Sequence, residues 1–270
     1  MIDKLINEAL GVLVLENMNI EPETFKESVY VAGGAANAFA EKGTPKDIDL
    51  FFRDARDAQL IARAWSGHPS KSVTVADADN GTQRVVLSGV PTLRLRDTIV
   101  TTRNAITVKT SGASVQFILR YCGPPEAVVS TFDFLHCKMI LEYNAATAGL
   151  WRFSSLDPLA SLSLSRKELL VQNSYRTPLA SMFRLKKFLE RGWTVEPLQL
   201  VKLAIKLSEV NWRSPNQDLE DQLEGVYGSP VVELIPKIRV LLANKALVSA
   251  EDIFALIDKD HNSCTSLYST

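Results

Sequence analysis

Two aspartates one residue apart, Asp47 and Asp49, lie in the apolar segment "DIDLFF" (residues 47–52). The segment predicts a β-strand, in which side chains at positions i and i+2 point to the same face. The two carboxylates would then lie roughly 6–7 Å apart, because a strand rises about 3.3 Å per residue. Carboxylate oxygens are the ligands that Mg2+ prefers, and such pairs serve metal-dependent phosphoryl chemistry. A solvated strand edge is the alternative, and the surrounding residues decide between the two.

The apolar segment before the aspartates ends in two glycines, Gly33 and Gly34, and an alanine-rich segment that favours a short helix follows. Backbone N–H groups at the start of a helix bind phosphate, and the missing glycine side chains let that phosphate come close. Lys46 adjoins the aspartates, but strand alternation places it on the opposite face, so a phosphate contact and a solvated side chain both remain open. Together these features predict a site for a metal-bound phosphate.

The elements that must position these residues divide the chain into an α+β part, residues 1–155, and an all-helical part, residues 156–270. Strand patterns dominate up to "FDFLHCKMILEY" (residues 132–143), which predicts one more strand. From "LSRKELLVQ" (residues 164–172) onward, helical patterns prevail. The predicted fold class is therefore α+β, with a mixed sheet and helices in a head domain and a helical domain after it.

Composition excludes several classes of protein. The 270 residues carry 30 basic and 31 acidic side chains, so the whole chain has no basic nucleic-acid footprint. Three cysteines without C-x-x-C spacing argue against a disulfide framework and a structural zinc site. An interrupted, acidic N-terminus and the absence of an 18-residue apolar run predict a cytoplasmic protein with no membrane span.

The segments "VYVAGGAANAF" and "PKDIDLFF" resemble the nucleotidyltransferase superfamily of DNA polymerase β, most closely its branch of bacterial poly(A) polymerases and CCA-adding enzymes. A fainter similarity continues to about residue 197. The resemblance implies a nucleotidyltransferase-type head in which Asp47 and Asp49 bind Mg2+ (or Mn2+). It implies that Gly33 and Gly34 cradle the phosphates of an NTP such as ATP. It further implies transfer of the nucleotidyl group to an acceptor hydroxyl, with an RNA or tRNA 3′ end favoured.

The chain departs from that family at several positions. After the glycine pair the family carries an Arg-Asp pair, where this chain has Asn37 and Ala38. The positions that read the incoming base in the family correspond to Thr177, Ala180 and Phe183. CCA addition itself is therefore doubtful. A catalytically inactive member that binds a nucleotide or serves as an assembly or interaction module is the alternative function.

The third carboxylate of the family's catalytic set has no clear counterpart. Gln116, in "SVQFILR", takes its place and offers one neutral oxygen. Asp133, between Phe132 and Phe134, is the other candidate, because a carboxylate among apolar residues must be paired, hydrogen-bonded or metal-bound. Capping a backbone turn is its simpler role. Asp133, Gln116 and the absence of a third ligand all remain open.

Two further features bear on the site. Arg184 and Lys187 share one face of the predicted helix "RLKKFLERG", which either binds triphosphate or RNA or is solvated. Lys109 lies in the strand-rich middle and extends the basic residues there. Adjacent strand residues face opposite sides, so His136 and Cys137 are predicted to pack rather than to pair as base and nucleophile.

Overall fold

The computed structural model describes residues 2–14, 21–66, 73–88, 93–95, 98–102, 104–147, 150–173, 175 and 177–210, and isolated positions between 222 and 252. The chain forms two compact units, Met1–Tyr175 and Arg176–Thr270. The first unit is an α+β domain built on one mixed sheet. The predicted division at residues 155 and 156 stays a prediction.

The sheet contains ten strands in the described part of the chain. They are β1 (Val29–Ala32), β2 (Asp47–Phe52), β3 (Val73–Asp77), β4 (Gln83–Leu87), β5 (Leu93–Leu95), β6 (Ile99–Thr101), β7 (Ala105–Lys109), β8 (Ser114–Cys122), β9 (Met139–Asn144) and β10 (Leu150–Ser155). The strand order is β10-β9-β1-β2-β8-β7-β6-β5, and the hairpin of β3 and β4 joins β8 through β4. Strands β2 and β8 pair in parallel, whereas the other described pairs are antiparallel.

Helices cover this sheet and form the described part of the second unit. They are α1 (Ile2–Val14), α2 (Pro22–Ser28), α3 (Gly34–Ala40), α4 (Ala55–Ser66), α5 (Pro125–Val129) and α6 (Pro158–Arg166) in the first unit, and α7 (Pro178–Glu190) and α8 (Pro197–Ser208) in the second. Helices α7 and α8 pack against each other. The predicted helices after residue 210 lie outside the described residues, apart from isolated positions.

Strand β2 lies inside the sheet, between β1 and β8. After Asp49, the residues on both of its faces are buried. On one face, Ile48, Leu50 and Phe52 are fully buried, and the ring of Phe25 meets that of Phe52 edge-on at 6.1 Å. On the other face, Phe51 stacks on a neighbouring tyrosine and joins a buried apolar cluster with residues of α5. Apolar burial on both sides of the strand holds its aspartate end in a defined place.

Two segments depart from their predicted secondary structure. The segment predicted as a strand over residues 132–143 instead contains a 3-10 turn, Leu135–Cys137, and β9 begins only at Met139. In "LSRKELLVQ" the helix α6 ends at Arg166, and Lys167 adopts a left-handed conformation with φ of 52°. The chain then runs extended, and Val171 forms a β-bridge with Phe134. The predicted helix is present only up to Arg166, where α6 ends. Pairing with a distant segment set the extended conformation of the residues after it.

Among the described residues, no helix combines the length and the apolar character that crossing a membrane requires.

Candidate functional site

Strand β2 carries the two aspartates on one face, at the end where the apolar cover stops. Burial increases along that face, from exposed Asp47 through half-buried Asp49 to buried Phe51. The opposite face of the strand carries Ile48, Leu50 and Phe52, which are buried in the core. The strand therefore holds both carboxylates toward the same open region. Whether Asp47 and Asp49 bind a metal stays a prediction.

Gly33 and Gly34 form a bend between β1 and α3, called the glycine bend, which lies beside these aspartates. In the antiparallel pair of β1 and β2, Val31 stands opposite Leu50, so the next residues of β1 run toward the level of Asp49 and Asp47. Gly33 has φ of 74° and ψ of −134°, a conformation that only glycine adopts without strain. Its N–H donates to the carbonyl oxygen of Met139 at 3.2 Å, which ties the bend to β9.

Gly34 begins helix α3 and is exposed. A Cβ atom added there would meet no atom within 4 Å. The N–H groups of the first helical turn have no acceptor within the helix. The backbone at Gly34 is therefore accessible beside the aspartates. A contact of Gly33 or Gly34 with a nucleotide stays a prediction.

Strand β8 flanks the aspartates on the other side. Its parallel register places Ser114 beside Asp47 and Gln116 beside Asp49. Because parallel neighbours in register project to the same face, the Gln116 side chain lies next to that of Asp49. Gln116 is half-buried. Its side-chain oxygen, with the two aspartate carboxylates, forms a set of oxygen donors of the kind that Mg2+ or Mn2+ accepts.

Strand β7 extends this polar face. Lys109 pairs with Ser114, and Thr107 pairs with Gln116. Ile106 and Val108 point to the buried face, so Thr107 and Lys109 share the face of the aspartates. In the sequence, Lys109 stands out only as one of several basic residues of the strand-rich middle. Strand alternation predicts which way its side chain points, but not which strand lies beside it.

Asp133 lies in the segment between helix α5 and the 3-10 turn. The residue is 5% exposed, and its carbonyl oxygen accepts a hydrogen bond from the Gln172 N–H at 2.8 Å. In the described part of the chain, no three or more His, Cys, Asp or Glu side chains lie close enough to hold one metal ion. Whether Asp133 acts together with the two aspartates stays a prediction.

His136 and Cys137 follow Asp133 in the 3-10 turn, and their side chains meet: the Cys137 Sγ and His136 Nε2 atoms are 3.4 Å apart. The prediction that they face opposite sides is wrong, because it assumed a strand. Burial lowers the pKa of His136 to about 4, against the opposing effect of Asp133. The imidazole is therefore neutral at pH 7.

The basic candidates lie on different elements. Lys46 is exposed, and its carbonyl oxygen accepts the Ser114 N–H at 2.9 Å, next to the start of β2. Arg184 and Lys187 belong to α7 of the second unit, where the Arg184 guanidinium donates to Thr177 Oγ1 at 3.4 Å. Lys187 is exposed. A nucleotide contact by Lys46, Arg184 or Lys187 stays a prediction.

Asn37, which stands where the resembling family carries an arginine, is buried on α3. Its side-chain oxygen has no hydrogen-bond partner. This position therefore does not supply the positive charge that the arginine of the resembling family carries.

Comparison with solved structures finds enzymes that process tRNA. The chain is similar to the Thermotoga maritima CCA-adding enzyme complexed with tRNA, with 15% identity over 91% of this chain and 58% of that one and a TM-score of 0.41. It is similar to a tRNA nucleotidyltransferase complexed with a primer tRNA and an incoming ATP analog, with 15% identity over 83% and 61% of the two chains and a TM-score of 0.41. The Bacillus stearothermophilus CCA-adding enzyme in complex with CTP matches with 12% identity over 77% and 45% and a TM-score of 0.38. The chain thus spans less than two thirds of the length of each.

No curated protein matches the sequence. A family model does: the model described as "Gabija anti-defense 2 family protein" matches residues 4–155. That match covers more than half of the 270 residues and includes the glycine bend, both aspartates and Gln116. The chain belongs to the Gabija anti-defense 2 family.

Proposed function

We propose that this chain is a metal-dependent nucleotidyltransferase that moves an NMP from an NTP to an acceptor oxygen; the family resemblance favours the hydroxyl of an RNA or tRNA 3′ end as that acceptor. The observation that carries the proposal is the meeting, at one end of the sheet, of the glycine bend of β1 and the aspartate pair of β2. Both features were singled out from the sequence for phosphate and metal chemistry, and the antiparallel register brings them side by side.

The aspartates would supply the negative charge that binds the divalent cation of a metal–triphosphate. Asp47 and Asp49 would hold Mg2+ (or Mn2+), with Gln116 as a neutral oxygen donor. When bound, the ion supplies neutralisation of the phosphate charge that develops in the reaction. The open backbone at Gly33 and Gly34 would let the β- and γ-phosphates approach the sheet.

The reaction forms one bond to phosphorus and breaks one. The acceptor oxygen attacks the α-phosphorus, and a hydroxyl acceptor releases its proton to the solvent. The bond from that phosphorus to the bridging oxygen breaks, and pyrophosphate leaves with the electron pair. The residues of the site contribute mainly by positioning the two substrates and by stabilising charge.

The test compares the wild-type chain with a double variant, Asp47→Asn plus Asp49→Asn, which removes both charges and keeps the side-chain volume. Each labelled NTP is incubated with the protein, Mg2+ or Mn2+ and mixed RNA, and metal-dependent NTP binding is measured in parallel. We expect transfer and binding in the wild type and at least about a 100-fold loss of transfer in the double variant. Thermal unfolding of both proteins checks that the variant is folded.

Transfer that survives in the double variant would show that these carboxylates do not act. A wild type that neither transfers label nor binds NTP in the presence of metal would contradict the proposal.

The second candidate is a family member without catalysis that binds a nucleotide or acts as an interaction module. Asn37, Ala38 and Gln116 favour it, because they replace a basic residue and two acidic residues of the resembling family. Metal-dependent NTP binding that the double variant abolishes, with no transfer to any acceptor, would select this function. The family description, Gabija anti-defense 2, names the setting in which either function would act.

A further inference from the structure

Four side chains flank the aspartates on the side away from the glycine bend. We name them the acceptor strip: Thr107, Lys109, Ser114 and Gln116. The sheet register arranges them in two rows, Asp47–Ser114–Lys109 and Asp49–Gln116–Thr107. Neighbouring strands are about 4.8 Å apart, so the Cα atoms of Asp47 and Lys109 are separated by about 10 Å.

The position of β2 assigns the strip to the second substrate. Strand β2 lies between β1, which ends in the glycine bend, and β8, which begins the strip. An NTP whose phosphates lie at the bend approaches the aspartates from the β1 side. The second substrate must then approach from β8 and β7, because an in-line displacement brings the attacking and leaving groups to the α-phosphorus from opposite sides.

The chemistry of the strip is neutral and cationic. Lys109 is an exposed cation, Ser114 and Thr107 are hydroxyls, and Gln116 is an amide. An amide cannot accept a proton at neutral pH. The strip itself contributes no carboxylate to receive a proton, and the neighbouring carboxylates of Asp47 and Asp49 are the ones that the proposed function assigns to the metal. The strip offers an oxyanion a positive charge and three uncharged hydrogen-bonding groups.

We propose, on the basis of the function proposed above, that the attacking oxygen belongs to a terminal phosphate monoester of the acceptor and that Lys109 binds that phosphate. The second pKa of a phosphate monoester is about 6, so the group is already an oxyanion at pH 7.5. Its oxygen attacks the α-phosphorus, a phosphoanhydride bond forms, and pyrophosphate leaves with the electron pair. No proton has to be removed, which is consistent with an amide at position 116.

The first experiment determines which bond is made. Wild-type protein, α-labelled NTP and Mg2+ are incubated with one oligoribonucleotide in two forms, with a 5′-phosphate and with a 5′-hydroxyl. A free NMP and its nucleoside form a second matched pair, which distinguishes a polymer end from a small molecule. Digestion of the product by a nuclease releases a dinucleotide joined through pyrophosphate if the proposal is correct, and labelled NMP if the label joined a 3′-hydroxyl.

We expect at least about a 10-fold preference for the phosphorylated member of one or both pairs. Equal labelling of both forms through a 3′-phosphodiester would overturn this inference and leave the proposed transferase function intact. NTP binding without any transfer to a phosphate would also overturn it. Loss of both NTP binding and transfer would instead overturn the proposed function.

The second experiment tests Lys109 without catalysis. Equilibrium binding of the 5′-phosphorylated and 5′-hydroxyl oligonucleotides is measured without metal for the wild type, Lys109→Gln and Lys4→Gln. Lys4 is an exposed residue of α1 and serves as the charge-matched control. We expect about a fivefold preference for the phosphate form in the wild type and Lys4→Gln, and none in Lys109→Gln.

Gln116→Glu completes the test, since it places a carboxylate beside Asp49. We expect transfer to phosphate acceptors to fall about 10-fold, because the new charge repels them. Transfer to a hydroxyl should rise. A Lys109→Gln protein that keeps the full phosphate preference, or a Gln116→Glu protein that uses phosphate as well as the wild type does, would contradict the assignment.

Discussion

Gly33 is the residue whose conformation most constrains the candidate site. Its φ of 74° and ψ of −134° turn the chain from β1 into α3 beside the aspartates. A Cβ atom there would approach a Phe132 ring carbon at 4.0 Å, so backbone strain rather than a clash is the obstacle to substitution. Gly34, the next residue, has neither restriction.

Gly33→Ala should therefore destabilise the protein by about 1–3 kcal/mol, the usual cost of a residue held in such a region. Gly34→Ala, the matched control, should change the free energy of unfolding by less than about 1 kcal/mol in either direction. Urea unfolding of the three proteins measures both values. Equal effects of the two substitutions would show that the positive φ of Gly33 does not limit the bend.

His136 is a second residue with a measurable consequence. It is 1% exposed, and burial lowers its pKa to about 4, whereas an unfolded histidine has a pKa of about 6.5. The unfolded state therefore binds a proton first as the pH falls. Above about pH 6.5 this residue does not reduce the free energy of unfolding. As the pH falls from about 6.5 toward 4, protonation of the unfolded state lowers that free energy by about 3 kcal/mol.

His136→Gln should remove that part of the acid sensitivity. The free energy of unfolding is measured at several pH values between 4 and 7.5 for both proteins. The slope of that free energy against pH, rather than its absolute value, tests the prediction. Other groups near the ring are Asp133 and Cys137, and both remain in the variant. A variant with the same slope as the wild type would show that folding does not lower the pKa of His136.

At the scale of elements, one cluster joins the first two helices to the strands next to them. Lys26 of α2 is 1% exposed and lies 3.1 Å from Asp3 of α1 and 3.0 Å from Glu23. Its ammonium also lies over the ring of Tyr143 on β9 at 5.2 Å. Trp151 of β10 donates its ring N–H to Asp3 at 3.1 Å. Three elements thus meet at Lys26, and a fourth, β10, joins the cluster through Asp3.

Lys26→Met should cost about 2 kcal/mol, because methionine keeps the packing but loses two hydrogen bonds to charged groups. Asp3 and Glu23 are about half exposed, so water can solvate them after the change and the cost stays below that of a fully buried pair. Lys4→Met on the exposed side of α1 is the control. Thermal unfolding that shifts equally in both variants would show that the cluster adds nothing.

At the scale of the whole molecule, the segment after β10 belongs to the first unit. Lys138 pairs with Asp157 at 3.3 Å, and the Leu135 N–H donates to the Leu170 carbonyl at 2.9 Å. Leu169 is fully buried. Residues 156–175 therefore pack within the first compact unit, while the predicted domain division at residues 155 and 156 stays a prediction.

A chain of residues 1–175 should fold cooperatively by itself, whereas a chain of residues 1–155 should not. The shorter chain loses the cover of the turn at Asp133 and leaves backbone groups there without partners. Chemical unfolding followed by circular dichroism compares the two. A cooperative transition for residues 1–155 with the stability of residues 1–175 would support the division predicted from the sequence.

Local pattern was enough for much of the site. Alternation in "DIDLFF" predicted a strand with both aspartates on one face, and the glycine pair predicted the turn into a helix; the structure has both. These features depend on neighbours within a few residues, where side-chain periodicity and backbone freedom are encoded directly. The short helix between them also follows from local propensity.

Only the tertiary structure decided which strands lie next to β2. The pairing of Asp49 with Gln116 joins residues 67 positions apart, and Lys109 reaches the same face through one further strand. The turn at His136 and the extended segment after α6 were likewise set by long-range contacts. Periodicity determines which way a side chain points, but the burial of apolar faces against distant segments determines its neighbours.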